Sequence, residues 1–339
     1  MYATPTSTSA SAFLAELRER FEIGEDQGKP IEFLLGMGVT QDLDAGTVRL
    51  DMAVAISKLA QGLLTPEELR KSADIHYPML VTPLPKLESR EVPKESFDYL
   101  SVVGSLLHFA NCVRCDVATA VNILARHANT PGRAHVNAVK RVVMYLYNTR
   151  SLAIVYHRDI HSRNVPVVYE SAPHGEDIPK NDVSMGLGVH ADADFAADYA
   201  RRSMQGVVIT LNGGPISWTS TLGKTTVLST CEAEIAAAVT ACKDAIHLKR
   251  IMIDLGLMAE DATIVIAEDN SAAISQAEAG IRHIRKAKHY ELKLRWLQEL
   301  VLSKEVCFRY TPTTQQLADL FTKPLELDSF VRFRDMLMR

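Results

Sequence analysis

The stretch GVHADADFAAD, residues 188–198, places Asp192, Asp194 and Asp198 in a run that otherwise alternates like a β-strand. Aspartate is disfavoured in strands, and like charges close together repel. Two carboxylates about 4 Å apart repel by roughly 4 kcal/mol even at an effective dielectric near 20. Either the acids mark the end of the strand, capping a turn, or they hold a divalent cation. The surrounding elements decide between these readings.

Downstream the pattern is regular. SMQGVVITLNGG reads as a second strand ending in an Asn212–Gly214 turn, and PISWTSTL as a third, which makes a meander. A long helix is predicted from about Thr230 to Leu255. Its start, STCE, fits a capping box in which Ser229 caps and Glu232 reaches back, and Gly256 stops it. ATIVIAEDN is a strand, SAAISQAEA a helix, RHIRKAKH a basic loop and YELKLRWLQELVL a helix. EVCFRYTP is a fifth strand, and TTQQLADLF is predicted as a helix opened by Thr313 or Thr314. A meander followed by crossover units implies an α/β (mixed α+β) fold, a five-stranded mixed sheet with flanking helices.

On that order Asp192 lies in the first strand and Glu234 in the opening turns of the long helix. Asp269 ends the fourth strand, and Asp319 follows the fifth. Each falls near the same edge of the sheet. Four carboxylates converging from separate elements suit hard cations such as Mg²⁺, which prefers oxygen ligands. Two such ions about 3.5–4 Å apart can clamp the attacking and leaving oxygens of a phosphodiester. Glu232 is assigned to the cap instead, and Asp198 to a turn or to a pair with Arg201 or Arg202.

Upstream, FLAELRERF (13–21) is a short amphipathic helix and IEFLLGMGVTQDLDAGTVRLDM (31–52) a hairpin turning near Asp42–Gly46. Residues 66–100 mix helix with Pro-rich loop. From Tyr99 to Tyr147 the pattern is helical, with Leu106, Phe109, Ala110, Val113, Val117, Val121 and Leu124 on one face and a break at Pro131–Gly132. Residues 1–12 are expected to be a disordered leader. Residues 158–184, which lack periodicity, are expected to be a linker.

The chain has 339 residues, a formal charge of −4 and five cysteines. No window approaches the roughly 18 apolar residues of a membrane span. The odd cysteine count and the absence of a signal pattern point to reduced thiols and a protein that is not secreted. Cys112 and Cys115 form an isolated C-x-x-C that reads as helix rather than a metal site. Because the charge balance is acidic, nucleic-acid binding has to rest on local patches. The strongest is 282–295, with Arg282, Arg285, Lys286, Lys288, Lys293 and Arg295; Arg202 beside Arg201 is a smaller one. Trp218 and Trp296 are assigned to packing.

The residues HADADFAAD, RRSMQGVVITLNGGPISW, LSTCEAEIAA, IAEDNSAAI, RKAKHYEL and QQLADLFTKPL resemble, in this order, the ribonuclease H domain that ends the Pol polyprotein of copia-type LTR retrotransposons. The upstream helical segment is similar to the end of the family's reverse transcriptase, and the hairpin to its primer grip. The resemblance implies a reverse-transcriptase palm remnant at 13–95, a thumb or connection at 96–157 and a ribonuclease H domain at 185–339. It places the four metal-binding catalytic acids on Asp192, Glu234, Asp269 and Asp319. It further implies two Mg²⁺ ions, replaceable by Mn²⁺, that serve hydrolysis of the RNA strand of RNA–DNA hybrids. The site of action would be cytoplasmic virus-like particles or the nucleus, with the upstream polymerase part or other Pol products as partners and no membrane. Phe195, Ala197, Cys115 and Glu291 depart from the residues usual in the family. The loop TPTT lacks the histidine many ribonucleases H place before the fourth acid, and His283 and His289 read as surface residues. No Tyr-x-Asp-Asp run occurs, so this chain alone is not expected to polymerise DNA. A remnant that binds nucleic acid without cutting it, or a polymerase fragment needing its upstream part, are the alternative readings.

Overall fold

The computed structural model describes residues 31–93, 96–158, 187–280 and 290–339. The expected helix at 13–21, the leader and all but the first residue of the expected linker lie outside the described residues.

The upstream part begins with a small sheet. Strands β1 (Phe33–Leu34), β2 (Met37–Asp42) and β3 (Thr47–Asp51) form the hairpin read from the sequence, and β4 (Ile154–His157) pairs antiparallel with β3. The turn closes where Ala45 N–H donates to Asp42 Oδ1 at 2.8 Å and Gly46 takes a φ of +63°, a conformation that suits glycine. Helices α1 (Ala53–Leu63), α2 (Pro66–Lys71), α3 (Tyr99–Cys112), α4 (Ala118–Ala125) and α5 (Arg133–Asn148) follow. Each of the seven residues assigned to one apolar face between 106 and 124 is buried. The α3–α4 break carries a polar network missed in the sequence. Buried Arg114 donates to Asp116 Oδ1 at 2.9 Å and Oδ2 at 2.7 Å, and Tyr145 O–H donates to the same Oδ2 at 2.5 Å.

The second sheet has five strands, β5 (Gly188–Asp194), β6 (Arg202–Leu211), β7 (Gly214–Thr226), β8 (Ile264–Glu268) and β9 (Val306–Tyr310), in the order β7-β6-β5-β8-β9. The first three run antiparallel, and β8 and β9 parallel to β5. Helices α6 (Thr230–Asp254), α7 (Ser271–Glu278) and α8 (Glu291–Leu302) complete the mixed, ribonuclease H-like α/β fold expected from the sequence. Val189, Ala191 and Ala193 join the core that α6 and α8 cover. Strand alternation therefore turns His190 and Asp192 to the other face.

TTQQLADLF is not the single helix expected. It forms two 3₁₀ turns, Thr313–Gln315 and Leu317–Phe321, broken at Gln316, which is extended with ψ 95°. The reason is a buried amide: Gln316 Nε2 donates to Ala191 O at 2.9 Å, and its Oε1 meets His190 Nδ1 at 3.1 Å. Regular helix would carry that side chain off the sheet. Helix α9 (Leu327–Leu337), which the sequence reading did not identify, follows. Its Phe330, Phe333 and Leu337 pack into the core of α1, α3, α4 and α5. Tyr145 meets Phe330 edge-on at 5.6 Å, and Thr119 Oγ1 donates to Leu320 O at 2.7 Å. The C-terminal segment thus ties the upstream helices to the face of the sheet that carries Asp192. Among the described residues no helix is long and apolar enough to cross a membrane.

Candidate metal centre

Asp192, Glu234 and Asp269 each offer an oxygen, and the three oxygens lie within 4.8 Å of one another. Asp192 and Glu234 are buried and Asp269 is half-buried. Local structure explains how each is aimed. Asp192 sits in the middle of the sheet, opposite Gly206 of β6. At the start of α6, Ser229 Oγ accepts from Glu232 N–H at 3.1 Å, while the Glu232 carboxylate accepts from Leu228 N–H at 2.7 Å. Glu232 therefore serves the helix end, reaching one residue further back than a capping box requires. Glu234, about 200° round the helix from it, faces the sheet. Asp269 follows the last residue of β8, just before Asn270 caps α7 through Ala272 N–H and Ala273 N–H.

Burial raises all three carboxyls, and mutual repulsion adds to it. Asp192 is pushed up to about 6 by burial and by the neighbouring Asp319, against the pull of Lys323 and the Thr322 hydroxyl. Glu234 is pushed up to about 10 by burial, then by Glu268, Asp192 and Asp269. Asp269 is raised by burial and lowered in part by Thr313, whose hydroxyl donates to its Oδ2 at 2.9 Å. Glu234 Oε2 is buried and has no hydrogen-bond partner among the described residues. An all-oxygen cluster with an orphaned buried oxygen fits a hard divalent cation, whose charge would offset the repulsion.

Asp319 borders this trio rather than joining it. Its negative charge is close enough to raise Asp192, and its Oδ1 accepts from Lys323 Nζ at 2.8 Å. Four residues that the sequence reading missed complete the surroundings. Thr322 Oγ1 donates to Asp192 Oδ2 at 2.6 Å, Thr313 orients Asp269, and Lys323 pairs with Asp319. The fourth is Glu268, fully buried and raised well above the usual range by burial, with Oε2 unpartnered among the described residues. Only Glu268 had a sequence signal, as an acid at the end of an apolar strand directly before Asp269.

Gly206 makes room for the segment that bears Asp319. A Cβ there would sit 2.6 Å from Thr322 Cγ2 and 2.7 Å from the Ala318 carbonyl oxygen. Gly206→Ala is expected to cost about 1–3 kcal/mol, as overpacking does. It should also weaken divalent-cation binding, because Thr322 and Asp319 must retreat from Asp192. Chemical denaturation and Mn²⁺ titration of the variant would check both, and unchanged values for both would contradict this packing.

Arg282, Arg285, Lys286 and Lys288 lie outside the described residues, as do His283 and His289. Arg202 is engaged by Asp198, with Nε at 2.9 Å and Nη2 at 2.7 Å from Oδ2. Arg295 is similarly paired with Glu291 at 2.7 Å, while Lys293 is exposed. Trp218 packs partly buried against the upstream core and donates to Ala110 O at 2.8 Å. Trp296 packs partly buried against the second core.

No family model matches the chain. Among curated proteins it is 32% identical over 233 residues to the retrovirus-related Pol polyprotein from transposon TNT 1-94 of Nicotiana tabacum, covering 68% of this chain and 16% of that polyprotein. It is 26% identical over 323 residues to the retrovirus-related Pol polyprotein from transposon RE2 of Arabidopsis thaliana, covering 94% of this chain and 20% of that one. It is also 32% identical over 151 residues to secreted RxLR effector protein 161 of Plasmopara viticola, covering 44% of this chain and 90% of that protein. Among solved structures, LC11-RNase H1 isolated from compost aligns at 17% identity with a TM-score of 0.32, covering 40% of this chain and 91% of that one. The N-terminal RNase H domain of rv2228c from Mycobacterium tuberculosis aligns at 12% identity and 0.30, covering 44% and 96%. The chain spans a fifth or less of the Pol polyproteins it matches. By its likeness to the TNT 1-94 polyprotein, it belongs to the copia-type retrotransposon Pol polyproteins and corresponds to their C-terminal part.

Proposed function

We propose that this chain is a ribonuclease H-type endonuclease that hydrolyses the RNA strand of RNA–DNA hybrids, leaving a 3′-hydroxyl and a 5′-phosphate. The observation that supports this most is the meeting of Asp192, Glu234 and Asp269, from three separate elements, within 4.8 Å. Asp192, Glu234 and Asp269 would hold one divalent cation, and Asp192 with Asp319 a second. Mg²⁺ is the expected ion, with Mn²⁺ able to replace it. When bound, such ions supply Lewis-acid activation of water and charge stabilisation at the phosphate. The protein groups position and orient. Thr322 fixes the Asp192 carboxylate and Thr313 that of Asp269, so that their free oxygens are pre-aimed. Burial of Asp192 and Glu234 lowers the local dielectric and so strengthens their attraction for a cation. No protein nucleophile is required. In the same reading residues 13–95 would be the palm remnant and 96–157 the thumb or connection region of the upstream polymerase. The Arg282–Lys288 basic run and Arg202 would contact hybrid phosphates.

The test is cleavage of a labelled RNA–DNA hybrid in Mg²⁺ or Mn²⁺, beside single-stranded RNA and duplex DNA. Metal-dependent cutting confined to the hybrid's RNA strand, lost on chelation and in Asp269→Asn, is the expected result. Binding without cutting would indicate a nucleic-acid-binding remnant. Primer extension that appears only with an added upstream fragment would indicate a polymerase part.

A further inference from the structure

The two sides of the acid cluster are built differently. On the Glu234 side the carboxylates face one another and Glu234 Oε2 is buried without a partner among the described residues. On the Asp319 side a cation is already present as part of the chain. Lys323 Nζ donates to Asp319 Oδ1 at 2.8 Å, and Thr322 Oγ1 donates to Asp192 Oδ2 at 2.6 Å.

Lys323 is held there by its backbone. It lies four residues after Asp319, just past the second 3₁₀ turn, and Pro324 follows it. The Asp319 side chain is 5% exposed, while that of Lys323 is 37% exposed. The ammonium thus reaches in from solvent to a buried acid. The charged groups around it are Asp192 and Asp194 from β5, Asp319 from its own segment and, more weakly, Asp269 after β8. Burial works to lower its pKa, but Asp192, Asp319 and Asp194 outweigh burial and raise it.

Resting on the metal-dependent reading above, we infer that Lys323 is the internal counter-cation of the Asp319 side of the centre. It neutralises the Asp192–Asp319 pair in the cation-free protein and yields that place when a divalent ion binds. A lysine on a flexible stem can swing its head into water with little loss of packing. While it stays, the second cation position is closed. A site that is open only a fraction of the time binds with its affinity reduced by that fraction. If Lys323 is engaged about nine-tenths of the time, the reduction is about tenfold. The Glu234 side, whose carboxylates Lys323 does not pair with directly, loads first, and Lys323 separates the two affinities. Lys323 is a positioning residue in this scheme, acting through Asp319.

The experiment is titration of the full-length chain with Mn²⁺ alone, followed by calorimetry and by the paramagnetic resonance signal of free Mn²⁺. The wild type is compared with Lys323→Met, Lys323→Arg and Asp319→Asn. Thermal melts check that each variant is folded, and Lys323→Gln replaces Lys323→Met if the latter is not. The wild type is expected to bind two ions in separated steps. Lys323→Met should tighten the second step about tenfold and leave the first within about twofold. Lys323→Arg, which keeps a cation, should retain the wild-type separation, and Asp319→Asn should lose the second step. Two steps in the wild type with the second unchanged or weaker in Lys323→Met would overturn the Lys323 inference alone. A wild type that binds no Mn²⁺ would overturn it together with the metal-dependent reading.

Discussion

Asp192→Asn is expected to lower hybrid cleavage by roughly a thousandfold or more while leaving the protein folded. Asp192 is the acid that borders both groups of the cluster, sharing the 4.8 Å meeting with Glu234 and Asp269 and feeling the charge of Asp319. Its loss removes a charge from both proposed cation positions at once. A bound divalent ion supplies several kcal/mol of transition-state stabilisation, and each 1.36 kcal/mol is about tenfold in rate. The same substitution should stabilise the cation-free protein at neutral pH, because it deletes a buried carboxylate that repels its neighbours. The amide oxygen can still accept from Thr322 O–H. Loss of activity with a gain in melting temperature separates a role in the site from simple unfolding. A variant that keeps more than about a tenth of the wild-type rate would remove Asp192 from the reaction.

The second large effect is a dependence of stability on pH that appears only without cation. Glu234 has its pKa raised to about 10 and Glu268 is raised well above the ordinary range. For a raised acid the folded state holds a proton that the unfolded chain has released. Stability from such a group is complete below the unfolded value near 4 and is lost as pH rises toward the folded value. Histidines work in the opposite sense at lower pH. Burial pushes both His190 and His127 down to about 4, so stability from them grows as pH rises to about 6.5. That rise masks the Asp192 contribution below neutrality, which leaves pH 7 to 8 as the informative window. There Glu234 should cost about 1.4 kcal/mol per pH unit. Thermal melts in chelator should therefore fall by several degrees from pH 7 to pH 8. Millimolar Mg²⁺ should restore the loss, since a bound cation replaces the proton, and Glu234→Gln should remove the Glu234 share of the slope. Buried Cys115 and Cys242, also raised, pull the same way at higher pH but should not respond to Mg²⁺. A melting temperature that is flat or rises over this interval in chelator would contradict the burial of these carboxyls.

The local elements were legible because their signals are local. Strand alternation from Gly188 to Asp194, the Asn212–Gly213 turn and the Ser229 cap each involve neighbours within a few residues. Hydrophobic periodicity likewise marked the buried face from Leu106 to Leu124. The meeting of Asp192, Glu234 and Asp269 was legible one step further on, since the element order places each near the same edge of the sheet. The 3₁₀ turns at 313–321 were not legible, because the amide of Gln316 finds its partners 125 and 126 residues away. Nor was the second character of the site. Neither Lys323 nor Gly206 was singled out in the sequence.

By itself, the sequence determined the strands and helices of the second sheet up to β9, the alternation that turns Asp192 off the face of Val189, Ala191 and Ala193, and the acids available to a cation. Those properties depend on backbone propensity and on side-chain spacing along a few turns or strand residues. The tertiary structure alone decided that the Asp319–Lys323 pair sits beside Asp192, that Glu268 lies near Glu234 with its Oε2 unpartnered among the described residues, and that α9 closes the core of the upstream helices. Each of those outcomes needs segments distant in the chain to pack together and leave water, where an unmatched charge becomes costly.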